Sequence, residues 1–287
     1  MRKLAFLLLF SLAVTQCARK ARYEPPHISR ECKPWTYWWW MGSAVDEANL
    51  SLRLQQFADA GFGGVHIIPI YGAVGWEDRY LPFLSRRWIS MLAHTVRTAG
   101  KLGLGVDMST GTGWPFGGPN VDTTHAAAVI QLQGYRLAGG QQFTEPVLLM
   151  NRRFRRHAHL AKLLAINEKR QQVDLTAQVD SGGRLDWTAP DGNWTLIAMF
   201  TSLTGQQVKR AAPGGEGLVM DYFSEDALHH YLARFDSAFD HYRGPSIRAM
   251  YNDSYEVYHA NWTGDFPAEF QKRRGYDLLQ HLGAFAG

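Results

Sequence analysis

The sequence predicts an α/β fold: a partial (β/α)8 TIM-like barrel of about four βα units, interrupted by an inserted antiparallel β module. Three observations predict it. Short apolar runs of strand length alternate with amphipathic helical patterns over residues 35–126 and again over 210–287, the rhythm of parallel strands joined by crossover helices. Those strands are continuous apolar runs, as expected when both faces of a sheet are covered. Between the two stretches, residues 127–209 change to period-two alternation broken by tight turns, which belongs to antiparallel pairing.

The elements follow in order. Arg2 and Lys3 precede an apolar stretch, Leu4 to Val14, too short to span a bilayer, so residues 1–17 read as a signal peptide. Cys17 stands where a bacterial lipoprotein carries its lipid, although Gln16 occupies a position usually given to a small residue. Lipidation at Cys17 and plain secretion both stay open. The chain is expected to be exported, to the periplasm or as an outer-membrane-anchored lipoprotein of a bacterium, meeting a membrane only through that anchor. Residues 18–34, with Pro25-Pro26 and mixed charge, read as a linker.

Trp35 to Met41 is an aromatic run of strand length. Asp46 can cap a helix with Leu50, Leu54, Phe57 and Ala58 at helical spacing, ended by Gly61. Gly64 to Ile70 makes a second strand. Ser85 caps a helix with Trp88, Ile89, Leu92, Val96 and Ala99 on one face, closing near Gly103, and Gly105 to Ser109 is a third strand. No GxGxxG follows the first strand, which lowers a dinucleotide-binding reading.

Inside the module, Val147 to Met150 alternates, Asp180 to Gly183 and Pro190 to Gly192 mark turns, and Trp194 to Phe200 reads as a strand. The βα rhythm then returns. Ser224 caps a helix carrying Leu228, Tyr231, Leu232, Phe235 and Phe239, Ile247 to Tyr251 is a fourth strand, and Asp265 with Pro267 opens a helix ending near Gly275. A closed barrel needs eight strands, so either the sheet is open or the 210–287 continuation is truncated.

Composition narrows the function. Formal net charge is +4, and removing the leader cations Arg2 and Lys3 leaves +2. The one basic run is Arg152 to Arg156, interrupted by Phe154, far short of a nucleic-acid footprint. Cys17 and Cys32 are the only cysteines, too few for a disulfide framework or a four-cysteine zinc site. No HExxH motif or paired-histidine spacing marks a transition-metal site. Ten tryptophans suit either a sugar site or an aromatic core.

In βα proteins functional groups gather at the C-terminal ends of the strands. That rule selects Trp40 after the first strand, Asp107 and the Gly-rich loop with Trp114 after the third, Glu216 before the third helix, and Asn252, Asp253 and Glu256 after the fourth. Each has a plain structural alternative. Trp38, Trp39 and Trp40 alternate direction, so at least one packs in the core; His66 reads as a core histidine; Asp107 either contacts ligand or braces its loop. The Gly-rich loop lacks the lysine of a phosphate cradle, which excludes nucleotide binding. Glu256, in YNDSYEVY, is the sharpest candidate. A glycosidase needs a carboxyl group that stays protonated to serve the leaving oxygen, and a wall of Tyr251, Tyr255 and Tyr258 could keep it so.

The stretches PWTYWWWMGSAV, GFGGVHIIPIYG, EDRYLPFLS, GLGVDMSTGTGWPFGG, VKRAAPGGEGLVMDYFS and YNDSYEVYHANWT together resemble glycoside hydrolase family 106, the α-L-rhamnosidases. The resemblance implies a (β/α)8 catalytic domain and inverting removal of terminal rhamnosyl residues from plant polysaccharides or glycosides, with calcium near the sugar hydroxyls. It also implies Glu256 as general acid, and Asp107, Glu216 and Asp253 as substrate or calcium contacts. Members of the family are longer, which places the general base beyond Gly287 and leaves the chain alone an inefficient enzyme. Two other readings stay open: a glycan-binding surface lipoprotein without catalysis, and a glycosidase of different sugar specificity.

Overall fold

The computed structural model describes residues 25–285. The expected signal peptide and Cys17 lie outside the described residues, and among those described no helix is long and apolar enough to cross a membrane.

Four strands, β1 (Trp35–Met41), β2 (Gly64–Ile70), β3 (Gly105–Ser109) and β10 (Ala249–Tyr251), form one parallel sheet in that order. Two helices make the crossovers. α1 (Glu47–Asp59) starts where Asp46 accepts the Asn49 N–H at 2.8 Å, and α2 (Arg86–Lys101) where Ser85 accepts the Trp88 N–H, each side chain satisfying a donor the helix leaves free. β1 and β10 are the two edges and do not pair with each other. Among the described residues the parallel sheet is therefore open.

One face of this sheet is sealed. Trp40, Val65, Ile67, Val106 and Met108 pack against Leu50, Leu54, Trp88, Ile89, Leu92 and Val96 of the two helices. α3 (Glu225–Phe239), capped by Ser224, adds Tyr231 and Phe235 to the same core. Leu228, expected on the packed side of α3, is 41 % exposed; Ala227 and Ala238 complete the buried stripe instead.

Between β3 and β10 stand a two-stranded ribbon and an antiparallel sheet. The ribbon pairs β4 (Gly117–Gly118) with β9 (Leu218–Val219). The sheet runs β5 (Ala128–Ala138), β8 (Asn193–Leu203), β6 (His159–Asn167) and β7 (Gln172–Asp174). Its two faces bury separate clusters. Tyr135, Phe143, Leu163, Trp194 and Phe200 fill one, while Ile130, Leu164, Met199, Trp262 and Leu282 fill the other. Val147 to Met150 alternates as expected, Val147 and Leu149 in and Leu148 and Met150 out, yet it belongs to no strand. Its Val147 N–H instead meets the Gly183 carbonyl at 2.7 Å.

The chain closes with α4 (Phe266–Arg274) and a one-turn α5 (Leu282–Phe285). Pro267 and Gly275 act at the start and end of α4 as expected, Gly275 at φ 80°, but Asp265 makes no capping bond with its side chain.

Candidate active site

The second face of the parallel sheet carries the polar and aromatic groups. Strand register sets Tyr37, His66 and Asp107 in one row across β1, β2 and β3. Tyr37 and Trp39 are 55 % and 53 % exposed, so this face is open where the helix face is closed.

At its base the Trp35 indole packs closely against Gly64 and Gly105. A Cβ on either glycine would come within 2.3 Å of that ring, so only glycine permits the approach. Arg248 stacks on the indole at 4.0 Å, a favourable cation–π arrangement. Its guanidinium also forks onto Asp107, Nε reaching Oδ1 at 2.9 Å and a second N–H reaching Oδ2. Both oxygens of Asp107 are thus engaged by Arg248. Of the two roles open to Asp107, the Arg248 fork is a brace.

Above this base His66 sits between Tyr251 and Tyr37, its ring 4.5 and 5.3 Å from theirs. Burial holds the imidazole pKa below its usual value, against the opposing pull of Asp107 and Asp253. The His66 Nε2 is buried without a partner among the described residues. The Tyr37 hydroxyl is pushed up, first by its hydrogen bond with Tyr251, then by burial and by the Tyr251 and Asp253 charges.

The segment after β10 carries Asn252, Asp253 and Glu256. Asp253 is exposed, and its charge acts on both His66 and Tyr37, which places it over the open face. The Asn252 Oδ1 is buried and unpartnered among the described residues. Glu256 is exposed, and its Oε2 accepts the Tyr258 hydroxyl at 3.2 Å. Its backbone is clamped from outside the segment. The Gln206 side-chain amide donates to the Glu256 carbonyl at 2.7 Å and accepts the Tyr258 N–H at 2.7 Å. Lys209 lies 4.4 Å over the Tyr258 ring and donates to its hydroxyl at 3.3 Å.

The expected three-tyrosine wall is not formed. Tyr251 packs on His66 and Tyr255 on Tyr222, leaving Tyr258 as the one hydrogen-bonded to the Glu256 carboxylate. Trp114 joins this neighbourhood through its backbone, paired in both directions with Lys209. Glu216 does not: its Oε2 is turned back to the Gly214 N–H at 2.9 Å, with Arg234 as its charged neighbour. Trp40 is corrected outright. It is 1 % exposed, on the helix side, edge-on to Trp38 and Trp88, and Trp39 is the exposed member of the triplet. Gln206 and Arg248 were missed because nothing local in TGQQVKR or PSIRAMY distinguishes them.

Two overlapping matches to one family's sequence profile, described as alpha-L-rhamnosidase, cover residues 24–153 and 148–287. The chain belongs to glycoside hydrolase family 106. A neighbour in fold is a solved rhamnosidase from Novosphingobium sp. PP1Y, with TM-score 0.64 at 17 % identity over 92 % of this chain and 42 % of that one. A curated protein of Formosa agariphila (strain DSM 15362), named "Putative beta-glucuronidase", is 24 % identical over 92 % of this chain and 26 % of its own length. The chain therefore spans about a quarter of that relative and about two fifths of the solved one.

The calcium expected from the family resemblance needs converging oxygen donors. Asn252, Asp253 and Glu256 supply oxygens, but among the described residues the one convergent group of three His, Cys, Asp or Glu side chains is Asp122, His125 and His230, whose two imidazoles do not suit calcium. Among the described residues no three carboxylates converge, and no step below runs through calcium.

Proposed function

We propose that this family-106 chain supplies the acid side of an inverting α-L-rhamnosidase site, with Glu256 as general acid. The observation that carries the reading is the placement of Glu256. Its carboxylate is accessible in the segment that follows β10, while the Gln206 amide fixes the backbone on both sides. A protonated Glu256 would give its proton to the glycosidic oxygen as the bond to the anomeric carbon breaks. Tyr258 and Lys209 keep a hydrogen-bonding path to the carboxylate after the proton leaves.

Exposed Asp253 would accept sugar hydroxyls, with Asn252 beside it. Tyr37, Trp39 and Trp114 offer aromatic faces to the apolar side of the ring. An inverting hydrolase also needs a second carboxylate about 6.5–9.5 Å away to activate water. We place it outside these 287 residues, with the open sheet as the first four strands of a (β/α)8 barrel whose remainder completes the cleft.

The substrate proposed is a terminal α-L-rhamnosyl residue, which the family's description supports, and a plant polysaccharide or glycoside as its carrier belongs to the same proposal. Export through residues 1–17, with Cys17 as the lipid attachment point, belongs to the same proposal. A second reading, a uronide substrate, draws on the name of the Formosa agariphila relative and on Lys209 beside Tyr258, a cation able to meet a sugar carboxylate. Hydrolysis of aryl α-L-rhamnoside and aryl β-glucuronide by the full-length protein separates them. Turnover of the rhamnoside with Glu256 intact and its loss in Glu256→Gln is the expected result; turnover of the glucuronide alone overturns the rhamnosyl assignment.

A further inference from the structure

A second chemical cluster lies where the loop between β4 and β5 crosses the first turns of α3. Asp122 and His125 come from the loop, His230 and Asp226 from the helix. The two imidazoles are stacked, 3.9 Å between centroids with planes 2° apart.

The partners say which nitrogens are free. His230 Nε2 is 2.7 Å from the Asn120 carbonyl oxygen, a group that can only accept, so this nitrogen carries the proton and Nδ1 carries the lone pair. His125 Nε2 lies 3.2 Å from an Asp226 oxygen, again an acceptor. Anchoring one ring N–H on a carboxylate or a backbone carbonyl is how metal-binding histidines are oriented. His125 Nδ1 lies 2.8 Å from Asp122 Oδ1, a hydrogen bond whose proton a bound cation would displace. Asp122 is itself fixed by the Thr124 and His125 N–H groups on that same Oδ1, which leaves Oδ2 available. One oxygen of Asp122 and one ring nitrogen of each histidine lie within 4.8 Å of one another.

We propose that Asp122, His125 and His230 bind one divalent transition-metal cation of the zinc class, with Asp226 and Asn120 orienting the two rings. Two imidazoles and a carboxylate match the nitrogen and oxygen donors of zinc, at about 2.0–2.2 Å, rather than the all-oxygen shell of calcium. The ion would staple the loop that enters the antiparallel sheet to the helix that leads into β10. The site shares no residue with the Glu256 segment, so it stands or falls apart from the proposed hydrolase chemistry.

The test uses the full-length protein stripped with a chelator and titrated with Co2+, then Zn2+. One equivalent of Co2+ with visible d–d absorption is expected, displaced by Zn2+ and not by excess Ca2+, with a rise in Tm on loading. Asp226→Asn should weaken binding roughly 10–100-fold, and the His125→Ala/His230→Ala pair should lose the equivalent. If that pair fails to fold, Asp122→Asn and Asp226→Asn carry the measurement, with circular dichroism reporting the fold. Absence of a Co2+ or Zn2+ equivalent in the stripped protein, unchanged affinity in Asp226→Asn, or displacement by Ca2+ would each overturn the proposal.

Discussion

The hydroxyls of Tyr37 and Tyr251 meet at 3.2 Å although their strands are the two edges of a four-stranded sheet. Three strand spacings amount to about 14 Å, so the side chains must lean together over a concave face. His66 lies beneath that bridge, its ring 4.5 Å from Tyr251 and 5.3 Å from Tyr37. The open face of the sheet is thus a shallow trough roofed in part by its own tyrosines, with His66 buried beneath them.

A pH dependence of stability follows from His66. Burial lowers its pKa in the folded chain, so the unfolded chain binds the proton more readily. Its contribution is complete above the unfolded imidazole value of about 6.5 and is lost as pH falls through that value toward the depressed folded one. Tm should therefore drop between about pH 7 and pH 5. His66→Phe, which fits between two tyrosine rings and removes the unpartnered Nε2, should flatten that slope; an unchanged slope would assign the acid sensitivity elsewhere.

For the proposed acid, Glu256→Gln in the full-length protein should lower kcat by about 10²–10⁴-fold with little change in KM. The side chain is exposed, so the variant should melt within about 0.5 kcal/mol of the parent. Gln206→Ala frees the backbone beside Glu256 and should reduce kcat while sparing KM. Kinetics on an aryl rhamnoside, alongside thermal melts, provide both readouts.

Trp39 and Trp40 are neighbours with opposite fates. Trp40→Ala empties a core position edge-on to Trp38 and Trp88 and should cost about 3–5 kcal/mol. Trp39→Ala, at a half-exposed position, should change stability by no more than about 0.5 kcal/mol and instead weaken sugar binding. Paired denaturant unfolding and titration with a rhamnoside would check the contrast; equal stability losses would contradict it.

The glycine floor under Trp35 gives a steric prediction. A methyl group at Gly105 would sit 2.3 Å from the indole, forcing the ring and the Arg248 stacked on it to move. Gly105→Ala should destabilise by about 1–3 kcal/mol. A melt at parental temperature would show that the indole has room to shift.

Much of the scaffold is legible in the residues. Caps at Asp46, Ser85 and Ser224 act through side-chain oxygens at the ends of periodic apolar stretches, and both are local signals. β5 and β6 were less visible for a physical reason. β6 is covered on both faces, Leu163 by one cluster and Leu164 by the other, so its apolar run has no clean alternation. β5 interleaves Gln131, Gln133 and Arg136 with its buried residues, which hides its length.

The site was less legible still. Glu256, Asn252 and Asp253 share a strand end, and the rule about strand ends finds them. Gln206 and Arg248 act through contacts across the fold, to the Glu256 backbone and to Asp107. His125 and His230 stack only because the loop before β5 folds back on α3, a pairing that no sequence spacing announces.

The Gln206 clamp has a practical consequence for anyone reshaping this protein. Gln206 stands just past the end of β8, at the seam where the antiparallel sheet hands the chain back. Excising 128–203 as a decorative insert would cut next to the very graft point that steadies Glu256. A minimised enzyme should keep the Gln206 to Lys209 stretch as its splice junction and rebuild the loop on the far side of it.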